Sequence, residues 1–173
     1  MEDHKSRIVD GYRLDAQSLQ CFLREAGPAA LCRKSRGTRW TNEQLLFHMV
    51  FGYMVVRALI PLVHVLVRCP ASVQSGFSRL LDAATALFHP INYAGSCAAA
   101  LVFNHRRMER KLLVTLKALE RSLERESAEM LRRRTDFPER WDPYFHRQMT
   151  LLEVYAYPSL HFTFHAQQLS LNA

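Results

Sequence analysis

Leu45 to Val67 forms one long, mostly apolar segment. It is long enough to cross a bilayer as a helix. It also carries His48, Arg57 and His64, and a mid-span arginine is costly in lipid. A helix this apolar must be covered by other helices if it stays out of a membrane. The segment therefore predicts the central helix of a helical assembly rather than a membrane span. Thr41 and Gln44 begin it with a capping-box pattern, in which each side chain satisfies a backbone donor at the helix start. It is expected to run to about Val67, bent near Pro61.

The rest of the chain reads as partners for that helix. A first helix is expected from Arg7 to Ala26, with Leu19, Phe22, Leu23 and Ala26 facing inward and Gly27-Pro28 ending it. A short extra helix is expected from Ser75 to Phe88, then a turn at His89-Pro90-Ile91-Asn92-Tyr93. A third main helix is expected from Ala94 to Arg132. Met108, Leu112, Leu116, Leu119, Leu123 and Met130 form its apolar stripe, spaced as a buried seam in a bundle. Pro138 and Trp141-Asp142-Pro143 mark a loop. The fourth main helix starts near Thr150, where Thr150 and Glu153 repeat the capping-box pattern. Pro158 falls inside it and predicts a kink or a fresh start.

Six glycines and seven prolines in 173 residues leave few breaks, and alternating strand patterns are scarce. The expectation is all-α: a four-helix bundle with one short helix between the second and third, as one domain over residues 1–173. The four cysteines, Cys21, Cys32, Cys69 and Cys97, are scattered with no C-x-x-C pair, which argues against a zinc ribbon or redox motif. The polar N-terminus lacks the apolar core of a signal peptide. The reading is a cytoplasmic protein with reduced thiols.

The chemistry sits in the histidines. His161 and His165 are one helical turn apart on one face of the fourth helix, close enough to grip one metal ion. His48, early in the apolar helix, is a third candidate. Three imidazoles leave a coordination position open, as catalytic metal sites do. They suit zinc, nickel or iron. Phe162 stands where a zincin needs glutamate, which argues against a metalloprotease. Leu45 and Pro158 stand where di-iron bundles carry glutamate. His64 lies too far along its helix from His48 to share an ion. His89, His105 and His146 read as structural or exposed. Around His48 on its own helix face lie Gln44, Phe51, Gly52 and Val55. Gly52 either leaves room for a ligand or permits close helix packing. Gln168 follows His165 by three and is a candidate outer partner for a ligating ring. Nothing resembles a Ser-His-Asp arrangement, a phosphate-binding loop or a dinucleotide fingerprint.

Two motifs together resemble a known family. Trp40-Thr41-Asn42-Glu43-Gln44-Leu45-Leu46-Phe47-His48 looks like the start of the second helix in the DinB/YfiT-like, or S-transferase-like, superfamily. His161-Phe162-Thr163-Phe164-His165-Ala166-Gln167-Gln168-Leu169 looks like that family's fourth-helix motif. The resemblance spans roughly Arg7 to Leu171. It implies a metal-binding four-helix bundle whose ligands are His48, His161 and His165. It also implies an enzyme that joins a low-molecular-weight thiol, such as mycothiol or bacillithiol, to an electrophilic small molecule. Phe51, Val55 and Phe164 are then candidates to line the substrate pocket.

Two other classes compete with this one. The formal charge is +7, with arginine far outnumbering lysine. Basic stretches at Arg33 to Arg39, Arg106-Arg107 and Arg132-Arg133-Arg134 could touch phosphates. They are dispersed among acidic residues, however, and no recognition motif accompanies them, so nucleic acid is the weaker expectation. The other class is a non-catalytic scaffold of the same fold, and an exposed stripe on the third helix would point to a homodimer.

Overall fold

A computed structural model describes residues 2–171. It is mainly helical. In chain order the elements are α1 (Glu2–Glu25), α2 (Pro28–Cys32), α3 (Asn42–Leu66), α4 (Ala71–Ala83), α5 (Thr85–Val102), α6 (Met108–Arg125), α7 (Ala128–Arg132), β1 (Arg134–Asp136), β2 (Gln148–Thr150) and α8 (Leu151–Ala166).

The apolar segment is α3, and it runs unbroken through Pro61. It packs against α8, α6 and α5, while α1 packs against α6 and α8. Among the described residues α3 is the one helix long and apolar enough to cross a membrane, and nearly half of its most apolar stretch is buried. Leu45, Leu46, Phe47, Met49, Val50 and Tyr53 are fully buried, whereas Arg57 reaches the surface. The capping box at Thr41 is present in full, with Gln44 N–H donating to Thr41 Oγ1 and Thr41 N–H donating to Gln44 Oε1. The Gln44 side chain is thereby committed to the helix start, which corrects its expected place beside the metal ligands.

The third helix is not one piece. The chain breaks after Val102, resumes at Met108, and breaks again at Glu126 and Ser127, where Ser127 caps α7. The expected turn at His89 to Tyr93 is itself helical, inside α5 with Pro90 accommodated, and the expected short helix is two: α4 and the start of α5. A helix-compatible composition hid these breaks, since no glycine or proline stands at Phe103 to Arg107. The stripe survives the break. Met108, Leu112, Leu116, Leu119 and Leu123 are buried on α6, and Met130 is half-buried on α7. Its burial removes the reason to invoke it as a dimer surface.

Two short strands pair antiparallel, with Arg134 opposite Thr150, Thr135 opposite Met149 and Asp136 opposite Gln148. Three residues per strand are too few to show alternation in a sequence. The hairpin gathers the Pro138–Tyr144 loop at its far end and delivers the chain to α8. Thr150 is both the last residue of β2 and the N-cap of α8, with the capping box to Glu153 complete. The helix continues through Pro158 to Ala166 as one element, so there is no fresh start at the proline.

Buried polar contacts fix α1 against α3 and α8. The Tyr12 hydroxyl donates to the Tyr155 carbonyl at 2.6 Å. The Tyr53 hydroxyl donates to Asp15 and lies 3.0 Å from Ser159 Oγ. Burial is the main reason the Asp15 carboxyl is raised above its ordinary value, against the opposing effect of its hydrogen bonds.

Truncating Leu116 to alanine removes buried volume from the seam between α6 and its neighbours. The expected cost is about 2–5 kcal/mol of unfolding free energy. Chemical denaturation measures it, and a change near zero would show that the seam is not packed.

Candidate metal centre

His48 comes from the second turn of α3, and His161 and His165 from the last turns of α8. All three side chains are buried. Ring centroids lie 4.9 Å apart for His48 and His161, 4.8 Å for His48 and His165, and 4.5 Å for His161 and His165. One nitrogen from each ring falls within 4.8 Å of the other two. The three residues form a group that could hold a metal ion.

Every ring has an outer partner on Nδ1. His48 Nδ1 lies 3.1 Å from Ser96 Oγ of α5. His161 Nδ1 lies 3.2 Å from Asp142 Oδ2. His165 Nδ1 lies 2.7 Å from Gln168 Oε1. A carboxylate and an amide oxygen accept hydrogen bonds, so they place the imidazole proton on Nδ1 and leave the Nε2 lone pair free. The Nε2 of His161 is buried and has no hydrogen-bond partner, a state that costs free energy unless something meets it. A divalent ion between the three Nε2 atoms would satisfy it. On this test the residues present fit a metal.

The electrostatics agree. Burial, and then the neighbouring His161 and His165 rings, hold His48 well below the ordinary imidazole pKa. Burial first and His161 second push His165 down to about 4. Both rings are therefore neutral at pH 7, the form that ligates metal. Burial alone would raise the Asp142 carboxyl. Hydrogen bonds from His161, the Tyr144 N–H and the Tyr157 hydroxyl outweigh it, and the net shift is downward. The Tyr157 hydroxyl donates to Asp142 Oδ2 at 2.7 Å, fixing the carboxylate that in turn orients His161.

Gly52 explains itself here. A Cβ at this position would stand 2.7 Å from His161 Cδ2 and 3.3 Å from its Nε2. Close approach is found, and the group that approaches is the His161 ring; Gly52 also borders the cavity beside it. Trp40 lies over His48, stacked at 4.3 Å between centroids. The hairpin-like turn that ties Lys34 to Thr41 carries it there.

A cavity of about 460 Å³ opens beside the three rings. Phe51, Gly52, Val55 and Phe164 line it, as expected, and Gln168 does not. Gln168 instead braces His165 from outside. The remaining histidines stand apart. His64 pairs with Glu126 at 2.7 Å, His105 pairs with Glu43 at 2.7 Å, and His89 and His146 are exposed. The four cysteines are unpaired and none lines the cavity.

Sequence reasoning missed Asp142, Tyr157, Ser96 and the second wall of the cavity. That wall is α5 and the Pro138–Tyr144 loop, including Phe88 and Trp141. Trp141 stacks on Phe88 at 4.0 Å and donates its indole N–H to the Leu81 carbonyl at 2.9 Å. The only hint was the Trp141-Asp142-Pro143 cluster, an aromatic and an acid in a predicted loop.

Compared with family models, with curated proteins and with solved structures, the chain finds no match.

One divalent ion per chain is the expected stoichiometry. His161→Ala should lose it and Asp142→Asn should weaken it about 10- to 100-fold, as outer partners of ligating histidines do. Gly52→Ala should also weaken it, because the His161 ring must move. Metal analysis of dialysed protein, purified without a nickel column, measures all three; wild-type stoichiometry in both His48→Ala and His161→Ala would dismiss the site.

The metal-free chain should lose stability as pH falls from about 6.5 to about 4. An unfolded imidazole takes its proton near 6.5, while folded His165 stays neutral to about 4. Between those values the unfolded state binds more protons, so stability rises with pH. The lowered Asp142 carboxyl acts in the same direction at still lower pH. His165→Gln should flatten the slope between pH 6.5 and 4 in a denaturation series.

Proposed function

We propose that this protein is a metal-dependent, thiol S-transferase-like enzyme, joining a low-molecular-weight thiol to an electrophilic small molecule. The observation that carries the reading is the buried three-histidine cluster, each ring braced on Nδ1, at the wall of a 460 Å³ cavity. That volume lies within the ordinary range of small-molecule sites.

His48, His161 and His165 would hold the ion, whether zinc, nickel or iron. When bound, the ion supplies Lewis-acid chemistry that lowers the pKa of a thiol sulfur. The chain's own residues do the rest. Ser96, Asp142 and Gln168 fix the three rings. Tyr157 holds Asp142 in the orientation that serves His161. The apolar walls leave little to hold ordered water near the reacting atoms, which favours a sulfur nucleophile over hydroxide. Mycothiol and bacillithiol are the thiols that the family resemblance suggests.

The fold supports the same reading. Contacts of α1 with α6 and α8, and of α3 with α6 and α8, close a cycle of four long helices. We take this as a four-helix bundle of the DinB type, with the α4–α5 pair in place of the single short helix. A cytoplasmic protein with reduced cysteines fits the four unpaired thiols.

A second reading is an interaction scaffold that keeps the bundle without turnover. Exposed Leu80, Leu87 and Leu101 on α4 and α5 favour it, since they could pack against a partner or a second copy. Nucleic-acid binding is the weaker reading, since no recognition motif accompanies the basic stretches.

With metal-loaded protein, a thiol and an electrophile, product formation should require both metal and thiol. It should fall at least tenfold in His165→Ala while the far-UV circular dichroism stays that of the wild type. Calorimetry should show a thiol affinity that a chelator abolishes. Metal-loaded protein that binds neither mycothiol nor bacillithiol would favour the scaffold.

A further inference from the structure

We infer that the cavity beside the three histidines takes a neutral, mostly aromatic molecule. On the reading proposed above, that molecule is the electrophile, and a polar thiol would bring no more than its sulfur end to the cluster.

The composition of the wall decides this. Trp40, Phe51, Phe88, Trp141 and Phe164 supply aromatic faces, and valine and leucine fill much of the remainder. The stack of Phe88 on Trp141 is nearly parallel, at 12°, and gives one wall a flat face. Flat aromatic faces reward a planar ligand with stacking beyond the area it buries.

Charge is excluded from both sides. No lysine or arginine lines the cavity. Its one carboxylate, Asp142, is occupied by Tyr157 and His161 and lies where an anion would be repelled. A cation would have to sit beside a cluster suited to a divalent ion. A polyhydroxylated ligand fares no better, because buried hydroxyls need partners and the wall offers few. Trp141 spends its indole N–H on Leu81, and Tyr157 spends its hydroxyl on Asp142. One side-chain group remains: the Asn92 amide, which lines the cavity and makes no hydrogen bond among the described residues. A single amide matches a ligand with one or two polar atoms, not a sugar.

The mouth continues the pattern. Ile91 and Phe164 line the cavity and are 68% and 37% exposed. An apolar molecule therefore meets apolar side chains before it is enclosed.

The test compares two probes with the same anilinonaphthalene body: neutral N-phenyl-1-naphthylamine and its sulfonate, 1-anilinonaphthalene-8-sulfonate. Each is titrated by fluorescence into the full chain, both metal-free and zinc-loaded. The neutral probe should bind at one site, at least tenfold more tightly than the sulfonate, in both forms. Val55→Trp should fill the cavity and reduce that affinity at least tenfold while zinc stoichiometry holds. Gly95→Phe is a second filling variant, because a Cβ there meets open space. Either variant that keeps wild-type helical content serves the test. Equal or tighter binding of the sulfonate in either form, or neutral-probe binding unchanged by a folded filling variant, would overturn the inference. Failure of the metal reading is distinguishable. A chain that takes the neutral probe but no zinc keeps this inference and ends the metal-dependent reading. A chain that takes zinc but prefers the sulfonate does the reverse.

Discussion

The first half of α3 is apolar on nearly every side, and covering it is the demand that the rest of the chain meets. Its neighbours α8, α6 and α5 answer it, and α1 closes the gap between α6 and α8. The cost of breaking the cover is high because the covered side chains are large and fully enclosed, from Leu45 to Tyr53. The same demand places the chemistry. His48 sits within the buried stretch of α3, so its ring can only face another buried surface, and α8 presents two more imidazoles there. Buried imidazoles without partners would be a liability. Outer hydrogen bonds answer half of that problem by using Nδ1; the inward nitrogens remain.

The supports of the three rings come from three different parts of the chain. Ser96 stands on α5, Asp142 in the loop carried by the β-hairpin, and Gln168 just beyond α8. Each is held by structure that has its own reason to exist. Asp142 is fixed by Tyr157 and the Tyr144 N–H, and Trp141 beside it is clamped to Phe88 and Leu81. The result is a cluster whose geometry does not depend on one flexible side chain. Such bracing is what a site needs if its ligands are to keep their positions through binding and release.

Much of this was legible in the residues, and the exceptions have physical causes. Both capping boxes could be read because they are local: a hydroxyl and an acceptor three residues apart fix a helix start without help from elsewhere. The His161–His165 pair was legible for the same reason, and His48 because it falls in a helix with an evident start. The α6 stripe kept its period. What failed was the continuity of the third helix. Phe103 to Arg107 contains no residue that forbids a helix. At the break the Asn104 side chain accepts from the Arg106 N–H, a local turn that a single asparagine does not announce in a sequence. The hairpin was invisible because its strands are short and their pairing spans a loop. Asp142 could not be assigned, since its partner His161 is adjacent in space and distant in sequence. Gln44 was misplaced because one side chain could serve either the cap or the ligand cluster, and local geometry claimed it first.

Thr150 ends the hairpin and caps α8 at once, and this sets an angular zero for everything downstream. His161 lies about three turns beyond it, and each residue advances the helix by about 100°. One residue inserted between Thr150 and His161 would swing both imidazoles away from α3 toward another side of the helix. The length of the segment from Phe137 to Arg147 does not set that phase, because the pairing of Thr135 with Met149 re-registers the chain after it, although Asp142 within it must still reach His161. The phase of the imidazoles is therefore counted on one side of Thr150 and indifferent to length on the other, provided Asp142 keeps its place beside His161. The hairpin acts as an escapement: it lets the loop that shapes the cavity change its span while the ligand-bearing helix keeps its phase.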